Sequence, residues 1–174
     1  LLDDATGSRL LLTGGKHPID WGEMLRVSQR VDVLQLPLTL KLDAKGEKAL
    51  TVHAEVCEKH LLYNGACVIG TAQVKPGVDG WQALAIPLKG SAPARGAWFA
   101  PRLITFSVAV ATSGAKVELD NLSLIDAQGV NGLANGDFAD GLARWYFSSD
   151  RHHMPWHAKN LQVHVAFEQG VLGL

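Results

Sequence analysis

Apolar and polar residues alternate with a period of two through most of the chain from Ser8 to Asp126. Leu38, Leu40 and Leu42 are interleaved with Thr39 and Lys41, and Leu50, Val52, Ala54 and Val56 with Thr51, His53 and Glu55. Ile104, Phe106, Val108 and Val110 are interleaved with Thr105, Ser107 and Ala109. Successive strand side chains point to opposite faces, so each run predicts a strand with one face buried. Residues 9–13, 24–33, 66–74, 81–88 and 115–124 predict further strands, parted by the turn-rich stretches LDAKGEK, VKPGVDG and KGSAPARG. In AKVELDNLSLID the apolar face switches between Leu119 and Leu122, which predicts a bulge near Asp120-Asn121. Strands do not alternate with long helices, and no Gly-rich phosphate loop leads into a helix. A doubly wound α/β fold is therefore excluded, and a mainly β, antiparallel β-sandwich is predicted.

The texture changes after Asp126. AQGVNGLANGDFADG must turn repeatedly, and ARWYFSS predicts one more strand. DRHHMP is a polar break, and Pro155 suits the first turn of a helix. The pattern thus predicts a β-sandwich over 1–150 followed by a polar turn and a C-terminal α-helix over 151–174. On that helix His157, Asn160, His164 and Glu168 share one narrow stripe inside apolar surroundings. The helix grows more apolar towards Leu174 without a stop signal, and the chain opens on LLDD. Both ends read as cuts in a longer protein, with the tail leading towards a membrane span.

Composition narrows the function classes. Charged residues make up 19% of the chain and the net charge is −1, which gives tight nucleic-acid binding little electrostatic support. No window of eighteen consecutive apolar residues occurs, so no segment spans a bilayer by itself. The two cysteines, Cys57 and Cys67, are expected to form a disulfide in an extracytoplasmic compartment, with two small buried thiols as the alternative. A tight turn at Asn64-Gly65 would set Cys67 opposite Leu62, so a Cys57–Cys67 bridge requires a wider loop centred nearer Leu62.

Two stretches carry a resemblance. VELDNLSL (117–124) resembles the closing strand, and LANGDFADGLARW (133–145) the opening strand, of carbohydrate-binding modules with the galactose-binding-like jelly-roll fold. Here the opening phrase follows the closing one. Either a second module begins, or the chain folds back to complete the first sheet as in a circular permutation, with the closing strand over 115–126 and then the opening one over 133–148; too little chain remains for a second sandwich. The resemblance implies a jelly roll that recognises glycan. Trp21, Trp98 and Trp145 are the candidate sugar-stacking residues; Trp81 and Trp156 complete the tryptophans, and core packing is the competing role for each. Many such modules hold a structural calcium with a Glu just after the Phe. This chain has Ala139 there, and Asp120 alone does not make a calcium site, so no cofactor is expected.

The tail carries a second resemblance. Asn160, Glu168, Gly170 and Gly173, with apolar residues between them, resemble the segment of O-antigen ligases and polymerases that re-enters the membrane after their large periplasmic loop. The family's His before the Asn is replaced by Lys159. The resemblance implies a parent in the bacterial inner membrane that handles a polyprenyl-diphosphate-linked glycan, with this domain facing the periplasm. Arg151 would steady the diphosphate, and His152, His153 or His157 would serve as base. A native metal is not expected, because the close His pair of a zinc helix is missing. No G-x-S-x-G elbow or glycosidase carboxylate pair stands out.

The leading expectation is a periplasmic domain, non-catalytic in isolation, that positions glycan or lipid-linked glycan for the rest of its own membrane protein. Its apolar tail would fold back on the sandwich or form a dimer through the C-terminal helix. The alternatives are a secreted carbohydrate-binding module, which predicts sugar binding through exposed tryptophans, and a structural or protein-interaction sandwich with no ligand.

Overall fold

The computed structural model describes residues 1–4, 7–15, 24–32, 34–60, 63–76 and 80–148. Twelve strands are present among them: β1 (Leu2–Asp4), β2 (Gly7–Thr13), β3 (Arg26–Val31), β4 (Leu38–Gly46), β5 (Leu50–His60), β6 (Tyr63–Val74), β7 (Gln82–Gly90), β8 (Gly96–Ala97), β9 (Ala100–Pro101), β10 (Leu103–Val110), β11 (Lys116–Ile125) and β12 (Trp145–Ser148). Each region of period-two alternation forms a strand, because each offers one apolar row to a common core. The bulge also lies in β11. Asp120 pairs with Asp43 and Ser123 with Lys41, so Asn121 and Leu122 together oppose Leu42, and Asn121 takes a φ of 53°. The inserted residue lets Val117 and Leu119 before it, and Leu122 and Leu124 after it, all reach the core.

The architecture corrects the expected one. Instead of a two-sheet jelly-roll sandwich followed by a helix, ten strands hydrogen-bond into one antiparallel sheet, in the order β1-β2-β11-β4-β7-β6-β5-β10-β3-β12, curled into a half-barrel. Among the described residues there is no helix. The C-terminal helix expected over 151–174 lies outside them. Alternation specifies one buried face per strand, and a curled sheet satisfies that as well as two stacked sheets do. The join between β6 and β7 decides the matter, with Val68 paired to Gly90 and Ile69 to Lys89. Gly90 makes the join possible: its φ is 146°, and a Cβ there would lie 2.2 Å from the Cys67 carbonyl oxygen.

Inside the curl, Leu38, Leu40 and Leu42 of β4, Val52 and Val56 of β5, Ile86 of β7, and Phe106 and Val108 of β10 are all buried. The opposite face of β3, β5 and β10 is polar yet also buried. Ser28 Oγ lies 2.9 Å from Ser107 Oγ and 2.6 Å from Ser148 Oγ. Arg26 Nε lies 3.1 Å from Glu55 Oε1, and His53 Nε2 lies 3.3 Å from Glu55 Oε2. Ionised groups out of water hold together only when paired, so this row fixes the register of three neighbouring strands.

The Asn-Gly-Asp-Phe phrase forms a compact set of turns rather than a long strand. Asn135, with a φ of 50°, organises it. Its amide donates to the Gly141 and Ala143 carbonyls at 3.0 Å each, and its side-chain oxygen accepts the Asp140 N–H at 3.0 Å. Its carbonyl accepts the Trp145 indole N–H at 2.9 Å. Phe138 is fully buried against Trp145, with ring centroids 5.5 Å apart, and Trp145 meets Phe106 at 6.1 Å. The chain then folds back as β12 against β3.

Candidate functional site

The site grows from one end of the half-barrel, where β5 finishes, β3 finishes and β10 begins. Residues 91–102 leave the sheet there and return through the β8–β9 hairpin, whose two-residue tip is Trp98-Phe99. The rings are 5.8 Å apart and edge to face, and they are 92% and 74% exposed. So large an apolar pair in water is unfavourable for a free surface and suits a surface that meets a partner.

Two carboxylates hold this hairpin in place. Glu58, 6% exposed, accepts the Ala94 N–H at 2.9 Å and pairs with Arg102. The Ala94 N–H holds its carboxyl below the usual range, burial opposes this, and the Ala66 N–H and Arg102 add to the lowering. Asp32, just beyond β3, accepts from the Arg95 guanidinium at 2.9 Å. Gly65 makes room for the first clamp, because a Cβ there would meet the Glu58 carboxylate at 2.3 Å. Asn64-Gly65 lies within β6 and forms no tight turn. The chain reverses instead between His60 and Tyr63, so Cys57 and Cys67 face each other directly with Cα atoms 4.2 Å apart, joined by a disulfide. The bridge crosses the two strands that carry Glu58 and Gly65.

Beside the hairpin lies a pocket of about 470 Å³ lined by Gln29, Arg30, Val31, Asp32, Arg144 and Tyr146. Asp32 belongs to both features, lining the pocket and tethering Arg95. Tyr146 is 45% exposed on the edge strand β12. Arg144 sits in the turn before it with a φ of 76°. That conformation costs a non-glycine residue about 1–3 kcal/mol and concentrates at working sites. Gln29 is fixed from behind, its side-chain amide exchanging hydrogen bonds with Ala134 at 2.8 and 2.9 Å. The arrangement offers flat aromatic faces, planar guanidinium donors and a carboxylate within one surface region, and it contains no general acid–base pair or nucleophile set.

Of the candidate tryptophans, Trp98 lies exposed at the hairpin tip. Trp145 is 6% exposed and its ring serves the core. Trp81, 41% exposed, lies just before β7. Trp21 and Trp156 lie outside the described residues, as do Arg151, His152, His153 and His157 and the tail motif Asn160, Glu168, Gly170 and Gly173. Among the described residues no helix is long and apolar enough to cross a membrane.

The sequence reading passed over Arg30, Asp32, Arg144 and Tyr146. For Arg144 and Tyr146 the one signal was the ARWY phrase itself, in which they flank the core tryptophan; Arg30 and Asp32 had none.

The calcium question can be tested on geometry. Asp120 is pushed up, by burial first and then by the nearby Asp43 and Asp137 carboxylates, against the lowering hydrogen bond from the Asn121 N–H. The Asn121 amide already donates to Asp43 at 2.9 Å. Among the described residues no three His, Cys, Asp or Glu side chains converge as a metal site.

No family model matches the chain, and no curated protein matches it. A solved structure does: the apo carbohydrate-binding module of PbXyn10C superposes with a TM-score of 0.54 at 19% identity, covering 85% of this chain and 86% of that one. The likeness shows a shared fold.

Proposed function

We propose that this domain is a carbohydrate-binding module, and that its ligand lies across the Trp98-Phe99 hairpin and the Arg30–Tyr146 pocket. The observation that carries the reading is the hairpin: two aromatic rings held out in water by two buried or paired carboxylates, on a fold shared with a carbohydrate-binding module. Pyranose rings present apolar C–H faces that pack on aromatic rings, while their hydroxyls take hydrogen bonds from planar side chains. This supports the binding-module reading over a domain that serves only a glycan-transfer enzyme. The wider expectation of an O-antigen ligase-like parent rests on the tail motif alone.

The test is affinity electrophoresis and calorimetry against a panel of plant and bacterial polysaccharides, with the wild-type chain and with Trp98→Ala. The side chain is exposed, so the variant keeps the wild-type unfolding midpoint. Retardation by at least one polysaccharide that weakens tenfold or more in Trp98→Ala is the expected result. Equal retardation of both proteins would remove the hairpin from the site, and no binding across the panel would sink the proposal.

A further inference from the structure

We propose that the glycan is acidic, and that a uronic-acid carboxylate is held between Arg30 and Arg144. This rests on the carbohydrate-binding reading of the same site. Six arginines lie among the described residues. Four are matched with carboxylates: Arg9 with Glu118, Arg26 with Glu55, Arg95 with Asp32 and Arg102 with Glu58. The side chains of the remaining two, Arg30 and Arg144, make no hydrogen bond or ion pair among the described residues, and both line the same pocket.

They arrive there from distant parts of the chain by independent means. Arg30 stands on β3 in the row that faces away from the core, opposite Thr105 of β10. Arg144 is presented by a left-handed turn that the indole and amide bonds of the Asn-Gly-Asp-Phe loop hold in place. The acid in the lining, Asp32, pairs at the exposed surface with Arg95 at 2.9 Å. Arg30 and Arg144 of the lining, with Arg95 beside it, outnumber Asp32 by two positive charges, on a chain whose net charge is −1. A guanidinium is a fork of donors that matches a carboxylate's two oxygens, which a neutral sugar does not require. Tyr146 on the pocket wall supplies a ring for the sugar that bears the carboxylate. Gln29, fixed by its two bonds to Ala134, gives the pocket a rigid floor.

The experiment uses the full chain and four uronic-acid polymers (polygalacturonate, alginate, hyaluronan and heparosan), each beside its carboxyl-reduced, neutral form, with dextran sulfate as a further arm. Binding to at least one acidic polymer is expected to exceed that to its reduced form by about tenfold or more, with about tenfold loss in Arg30→Gln and in Arg144→Gln. Arg144→Lys, which keeps the charge and loses the fork, should fall between wild type and Arg144→Gln. Circular dichroism and unfolding midpoints confirm that these exposed substitutions leave the fold intact. If reduced or neutral polymers bind as well as the acidic ones, the acidic preference is wrong and the carbohydrate-binding reading stands. If dextran sulfate binds wild type as tightly as the uronic-acid polymers and loses that binding in the Gln variants, the pocket is a general anion patch and the proposal falls. If no polysaccharide binds at all, both readings fall together.

Discussion

Glu58 joins the stability of the sheet to the shape of the site, so removing it should disturb both. Its buried carboxylate accepts the Ala94 N–H and pairs with Arg102, and the nearby Ala66 N–H helps hold it ionised. A hydrogen bond to a charged group contributes about 1.5–3 kcal/mol. Arg102 is 43% exposed, so its pairing adds at most about 1 kcal/mol. In Glu58→Ala the Ala94 N–H, on a surface loop, regains water, and the net loss should be that of one charged bond plus the weak pair, about 2–4 kcal/mol. Glu58→Gln keeps an acceptor of the same shape and should lose about half as much. The assay is urea unfolding at neutral pH, alongside amide exchange across 91–102, which should quicken in both variants. The pH dependence has a definite sign. The folded-state carboxyl titrates below its ordinary value of 4.5, so its contribution is complete above that value and is lost as pH falls through the lower, folded-state value. The gap between wild type and Glu58→Gln should therefore narrow in acid. A Glu58→Ala protein within about 0.5 kcal/mol of wild type, the usual surface range, would refute the clamp.

Three other perturbations test the framework. Glu55→Ala takes away the carboxylate 3.1 Å from the buried Arg26 guanidinium and should cost about 3 kcal/mol in urea unfolding; replacing both residues with leucine should recover most of it. Cys57→Ser with Cys67→Ser frees a loop with a sequence separation of 10 and should lower stability by about 2–3 kcal/mol, read as the same shift on adding reductant to wild type. Trp145→Phe keeps an aromatic ring near Phe106 and Phe138 but deletes the indole N–H bonded to Asn135; calorimetric unfolding should show a loss of about 1–3 kcal/mol.

The nine longer strands were legible because alternation reports directly on which residues share a face. The bulge at Asn121 was legible for the same reason, since only an extra residue lets Leu119 and Leu122 face one way. How the strands join was not. Whether β6 continues into β7 depends on two residue pairs and one permissive glycine, and no periodicity marks these. The short strands β1, β8 and β9 are too brief to show a period. Asn64-Gly65 carries a strong local turn signal, yet both residues lie within β6, where Gly65 leaves space for the Glu58 carboxylate. The site was half legible. Trp98 stood out in its loop, whereas Arg30 and Arg144 meet only because β12 folds back on β3, far from it in sequence.

The Asn135 loop also bears on the order in which the molecule assembles. Every bond that Asn135 makes closes between residues 135 and 145, whereas the contact between Ser28 and Ser148 spans 120 residues. Short loops close in tens of nanoseconds, while long-range strand pairing is the slow part of folding. The loop can therefore form first and deliver Phe138 and Trp145 together, as one plug, to the open end of a sheet still assembling. In kinetic terms it is a local seed for a distant event, and Asn135→Ala should slow refolding more than it speeds unfolding.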